Sequence, residues 1–315
     1  MTLPYFARLA LLSLAAFFIV HVAMGLLVTM LAPLVIRTSV RVSSDRAARR
    51  LWMLRLAPAG VAMFVVAVFC IPSYLWLEPD SGEKVGWRCL TLAGLALGAW
   101  TISLSRAGHA WLDSRRYLRD SFVRGRETLL LDAHAPVCLT DHSGPPVALA
   151  GILRARVIVS RAAAAALSGG QLDAALRHER AHADSRDNLK RLAMLLAPSL
   201  LSRRTTAAIE QAWARAAEWA ADDRAAEGDP RRALALAEAL VRISHLKQDA
   251  FVPRIVTPLA AENLQARVER LLAPPAACLP ASRIARTWWL LAGAAAASLL
   301  EPSLRPVYLI LEKLI

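Results

Sequence analysis

In the stretch LRHERAHADSRDNLKRL, residues 176–192, two histidines stand four positions apart with a glutamate beside the first. On a helix, His178 and His182 lie about one turn apart on one face. Both imidazoles can then reach a single Zn2+ without backbone strain. Glu179 sits about 100° round the helix from His178, where it can touch a water at the metal without ligating. The spelling H-E-x-x-H thus describes two ligands and one base. The same stretch carries eight charged side chains, and it reads equally as the wet face of a helix with Arg177, Arg180, Asp184, Arg186 and Asp187 in solvent. A chance match is expected in roughly one chain of this composition in a hundred, so a third ligand has to decide.

After Pro198 interrupts the helical pattern, TTAAIEQAWARAAEWAADDRAAEGDP resumes it and stops at Gly228–Pro230. Within it Glu218 and Asp222 are i and i+4 and face the same way. Glu218 would complete a His2Glu set and leave a fourth position for water. Asp222 would accept a ring N–H from a ligand histidine. Each also reads as an ordinary surface acid, although Trp219 and the surrounding alanines suggest a buried helix.

The elements that must position these groups are visible upstream. Ser168 is the expected N-cap of the histidine helix, with Gln171 in the capping-box position. Leu172, Ala175 and Leu176 form an apolar stripe that buries one side. Ahead of it, residues 135–141, 145–151 and 155–160 are short β-branched runs that predict a small sheet or hairpin. The remaining histidines carry plainer readings: His21 hydrogen-bonded within the first apolar span, and His109, His134, His142 and His245 on the surface. Arg267 and Arg270 are read as helix-face arginines, or as buttresses of the site.

Composition sets the frame. The chain has 315 residues and a net charge of +13, and its mean hydropathy of +0.40 is too high for an ordinary soluble enzyme. A charge this positive raises nucleic acid as a partner, but the arginines cluster beside apolar segments, so no direct nucleic-acid binding is expected. Uncharged runs at 9–36, 56–77 and 89–105 predict three transmembrane helices. The first is too long for a signal peptide. A fourth apolar segment, at 287–300, is preceded by Arg283 and Arg286 and predicts a span or an interfacial helix within 287–315. Six arginines lie between the first two spans and six follow the third, whereas residues 78–88 carry three acids. The positive-inside rule then places 106–286 in the cytoplasm and the N-terminus outside. The four cysteines, Cys70, Cys89, Cys138 and Cys278, have no ligand spacing and are expected reduced.

With LSGGQLDAALRHERAHADSRDNLKRL followed by RAAEWAADDRAA, the chain resembles the membrane gluzincins, and among them the antirepressor metallopeptidases of the β-lactam sensor-transducer (BlaR/MecR) type. The E-x-x-A-D spelling at 218–222 is shared with the more distant prenyl-protein and HtpX-type proteases. The resemblance implies a mainly α-helical polytopic membrane protein of the inner membrane. It has a small β-element, and a zincin metallopeptidase domain (106–286) inserted between an anchor (1–105) and the last segment. It implies His178, His182 and Glu218 as zinc ligands, Glu179 as the base and Asp222 behind a ligand. It also implies a protein substrate, such as a cytoplasmic repressor, and a strand in 145–160 that pairs with that substrate. No penicillin-binding sensor domain is expected after the fourth segment. Arg180 departs from the family pattern, which has an uncharged residue there. That departure favours the alternative of a zinc-binding membrane transducer or scaffold without catalysis.

Overall fold

The computed structural model describes residues 4–77, 85–128, 137–140, 144–152, 154–200, 202–246, 257–258 and 263–273, with isolated positions beyond 304. The apolar runs become long rods. Helix α1 spans Tyr5–Ser39 and α2 spans Ser44–Val65. One π-helical turn, Val66–Cys70, leads into α3, Ile71–Leu77, so that Ser44–Leu77 is continuous. Helix α4 runs from Trp87 to Arg124. These three rods are long and apolar enough to cross a membrane. Their burial fits a lipid solvent. Leu26, Met30, Leu34, Phe64, Leu95 and Ile102 point outward, while Ala15, Ala16, Ala62 and Ala96 are buried. Small residues let helices approach closely where apolar burial offers no drive between them.

The third span differs from expectation at its far end. Residues 106–124, assigned above to the cytoplasmic domain, continue α4 without a break. Charge ends a hydrophobic run but does not end a helix. Arginine is a good helix former, and no proline interrupts this segment. At 38 residues, α4 is about 57 Å long, and its extra turns become a wall of the next domain.

That domain is a small sheet between helices. The strands are β1 Gly125–Thr128, β2 Val137–Thr140, β3 Val147–Ala150, β4 Arg156–Ser160 and the two-residue β5 Thr257–Pro258. Their order is β1-β2-β4-β3-β5. The β2–β4 pair is parallel and the other pairs are antiparallel. Three of these strands fall inside the predicted runs; β1 and β5, with no alternation to betray them, were not anticipated. All four residues of β3 are buried. Val147 and Leu149 join a core with the domain's helices, whereas Ala148 and Ala150 pack towards Tyr117, Leu118 and Phe122 of α4. Gly151, at φ 93°, turns the chain from β3 to β4; a Cβ there would lie 2.7 Å from the Arg154 carbonyl.

Helix α5, Arg161–Ala166, is capped by Ser160. Helix α6, Gly169–Asp184, starts with the expected capping box between Ser168 and Gln171. It is followed by α7 Asp187–Leu196, α8 Arg203–Ala226, α9 Pro230–Ser244 and α10 Leu264–Leu272. Leu176 of α6 and Leu236, Leu240 and Ile243 of α9 fill the main core. The domain also docks directly on the membrane hairpin. Ala47, Ala48 and Leu51 of α2 share a cluster with Met194, Trp213, Ala216 and Ala217. The segment 287–300, Cys278, His134 and His142 lie outside the described residues. Cys70, Cys89 and Cys138 are buried thiols outside any disulfide.

Candidate metal centre

Helices α6 and α8 bring together the residues singled out by spacing. His178 and His182 are fully buried, and their Nε2 atoms are 3.1 Å apart. The Glu218 carboxylate lies 3.4 Å from His178 Nε2 and 3.5 Å from His182 Nε2. One donor atom from each residue falls within 4.8 Å of the others. Bonds of about 2.0–2.2 Å to a tetrahedral ion need donor separations of about 3.3–3.5 Å. The spacing of the three side chains therefore fits a metal ion, and the group is able to hold one.

Both imidazoles are oriented from behind. Asp222 Oδ1 is 2.9 Å from His178 Nδ1, the partnership expected for Asp222. Asp187 Oδ2 is 2.8 Å from His182 Nδ1. Each carboxylate accepts the Nδ1 proton and so turns Nε2 towards the cluster. The Asp187 contact corrects the solvated-face reading of that residue. Asp187 is 3% exposed and is held on its other side by Lys190, at 2.9 Å. On an unbroken helix, position 187 would sit about 140° round from 182. Arg186 takes a left-handed conformation (φ 54°) instead, which ends α6 and swings Asp187 back beneath His182. Neighbouring Asn188 pins the same corner by donating to the Leu149 and Gly151 carbonyls. A left-handed arginine leaves no compositional mark, so spacing could not reveal this partner. The only available signal was a short acid within reach of the motif.

The second residue that sequence placed loosely is Arg267. It is 1% exposed. Its guanidinium donates to both Asp222 oxygens at 3.0 and 2.6 Å and pairs with Glu218 Oε2 at 3.0 Å. It is therefore a buttress of the cluster, not a surface arginine. Arg270 is half-buried and grips the next aspartate, Asp223, at 2.7 Å. Arg180 is half-buried and is not among the main charges acting on Glu179, His182, Glu218 or Asp222. His245 is exposed at the end of α9 and His109 is exposed on α4, as expected.

Electrostatics follow from this geometry. Burial works against charge on Glu218, yet His182, His178 and Arg267 hold its carboxyl well below the usual range. Asp222 is likewise held low, by Arg267 and His178 against its burial. Burial disfavours an imidazolium at His182, but the Glu218 and Asp187 carboxylates outweigh it and lift the ring to about 10. The Nε2 atoms thus look into a negative field, the field a divalent cation would balance. Glu179 is different in kind. It is fully buried, and neither of its oxygens has a hydrogen-bond partner among the described residues. Burial pushes its carboxyl up to about 7, with His178 and His182 pulling the other way. A bare buried carboxylate beside a ligand-lined cluster is otherwise hard to rationalise, since an unpaired buried polar group is costly.

No protein-family model matches the chain, and no curated protein matches it. The arrangement is thus known from its own geometry.

Proposed function

We propose that this protein is an integral-membrane zinc endopeptidase of the gluzincin type, working at the cytoplasmic face on a protein substrate. The observation that carries the reading is a single juxtaposition. Three donors fit one ion, both ring tautomers are held by carboxylates, and an unpartnered buried Glu179 stands beside them. Bound there, zinc would supply Lewis acidity, polarising a peptide carbonyl and acidifying water.

The chain's own residues then have distinct tasks. His178, His182 and Glu218 would hold the ion. Asp222 and Asp187 keep the two rings aimed at it. Glu179 takes a proton from the attacking water at its carboxylate and returns it to the leaving amide nitrogen. A carboxyl held at about 7 by burial is well matched to both halves of that transfer near neutral pH. Arg267 neutralises Glu218 and Asp222, which keeps three buried acids compatible in one site. The resemblance to the BlaR/MecR-type antirepressor peptidases supplies the substrate class we favour, a cytoplasmic repressor. The positive-inside arginines supply the orientation.

A second reading, a zinc-binding transducer without catalysis, is favoured by one observation: His178, Glu179 and His182 are sealed from solvent. Cleavage of candidate repressors or casein by purified protein at measured zinc content separates the two. Cleavage by wild type and not by Glu179→Gln at equal zinc establishes the enzyme; zinc without cleavage in either leaves the transducer. Orientation is tested by reporter fusions, with those after Ala47 and Arg126 reading cytoplasmic and one at Ser81 reading external. A cytoplasmic signal at Ser81 would move the site to the other side of the membrane.

A further inference from the structure

A peptide cannot reach the metal centre as it stands. The opening beside Glu218 is a cavity of about 10 Å3, lined by Arg215, Glu218, Trp219, Asn263 and Arg267. That is room for about one water. Two of its five walls, Asn263 and Arg267, belong to the start of α10, which therefore covers the site.

The way α10 is attached is unusual for a helix. Arg267 is its only buried residue. Leu264 and Leu271 pack half-buried against the main core, and Leu272 is exposed. On the side facing α8 its attachment is polar. Arg267 and Arg270, one turn apart on α10, grip Asp222 and Asp223, which are consecutive on α8. Arg270 also donates to the Trp219 carbonyl at 3.4 Å and lies over the Trp219 ring. The inner pair acts on the metal centre. The outer pair reaches the membrane hairpin, because Ser44, the first residue of α2, donates to Asp223 Oδ2 at 2.9 Å and accepts from Arg270 at 3.1 Å. Next along α8, Arg224 pairs with Asp45 of α2 and donates to the Ala181 carbonyl near the end of α6. One junction thus joins the start of a membrane helix, the helix carrying Glu218 and the cover of the site.

We propose that α10 is a gate over the metal centre, and that its outer latch, Asp223–Arg270, is shared with Ser44 so that a shift of the membrane hairpin against α8 opens it. This rests on the metal-site reading above. A helix whose apolar side is only half-buried, and whose contacts to α8 are ion pairs, opens at lower cost than one held by a fully buried apolar face. Arg270 and Asp223 are 34% and 49% exposed, so the latch is weak enough to work as a switch.

The test uses the full-length protein in detergent with zinc, and reads hydrogen exchange of the α10 amides and the rate at which a chelator removes the metal. Arg270→Gln and Asp223→Asn should speed exchange across 264–272 by about three- to tenfold. Ser44→Leu, which crowds the junction from the membrane side, should do the same. All three should speed chelation while zinc per chain and exchange in α9 stay at wild-type values. Unchanged α10 exchange in Arg270→Gln overturns the gate, and unchanged exchange in Ser44→Leu overturns its link to the hairpin. Faster α10 exchange in a protein that holds no zinc would support the gate and sink the metal reading, so the two fail separately.

Discussion

Two buried polar clusters, each built around histidine, sit on opposite sides of α8. Near its N-terminus, His21 of α1 and Arg55 of α2 line a cavity of about 40 Å3 with Thr29, Pro58, Ser199 and Thr205. Between α6 and the later turns of α8 lies the His178–His182–Glu218 group. In the first cluster Arg55 holds the protein to itself. Arg55 donates to Glu210 at 2.8 Å and to the Met194 and Ala197 carbonyls, the open end of α7. Those carbonyls have no intrahelical partner, so the arginine serves as their cap. In the second cluster both Nδ1 atoms are bonded from behind, and the Nε2 atoms and the Glu218 carboxylate converge on a shared point. Burial of a histidine therefore says little. What marks a ligand site is that donor atoms of several side chains converge within reach of one ion.

This contrast can be broken by experiment. The largest effect is expected at Glu179, where Glu179→Gln should lower peptide cleavage by about 10²–10⁴ with metal content unchanged, measured as turnover beside elemental analysis. Loss of zinc in that variant would make Glu179 a ligand and undo the assignment. Next come the two carboxylates behind the rings. Asp222→Asn and Asp187→Asn should each weaken metal binding about 10–100-fold, read by competition with a chromogenic chelator. Because the second partner of Asp187 is the part-exposed Lys190 while that of Asp222 is the buried Arg267, the Asp222 variant should be the worse of the two. An Asp187 variant with wild-type affinity would make its contact incidental.

In the membrane-side cluster the currency is stability. Arg55→Ala uncaps α7 and strands Glu210, which is itself 35% exposed, so a loss of about 2–3 kcal/mol is expected. Thermal unfolding in detergent would show it, at unaltered zinc per chain. Depletion of zinc by Arg55→Ala would mean that the clusters are not separate. The smallest effect is expected from Arg180→Leu, which should leave cleavage and metal within experimental error of wild type. A marked loss would show that its charge acts on the centre after all.

Much of this architecture was legible beforehand because it is periodic. Three spans could be read from uncharged runs, since a bilayer admits little else. The capping box at Ser168 and Gln171, and the stop at Gly228–Pro230, could be read because caps use few residue types. The spacing of His178, His182, Glu218 and Asp222 put pairs on common helix faces before any packing was known. What lacked a local signal was missed: the run of α4 through 106–124, the short strands β1 and β5, and the break at Arg186.

The sequence by itself determined which side chains share a helix face, because i and i+4 on a helix is a fixed geometry and the residue types dictate which ions would suit them. Only the tertiary structure decided the rest. Whether α6 and α8 meet, which carboxylate stands behind each ring, and whether an arginine from 45 positions beyond Asp222 enters the site all depend on packing. Those contacts bridge segments far apart in the chain, and no local propensity encodes them. Asp187 and Arg267 look like dozens of other surface charges until the fold closes round them and makes the histidine pair a supported cluster.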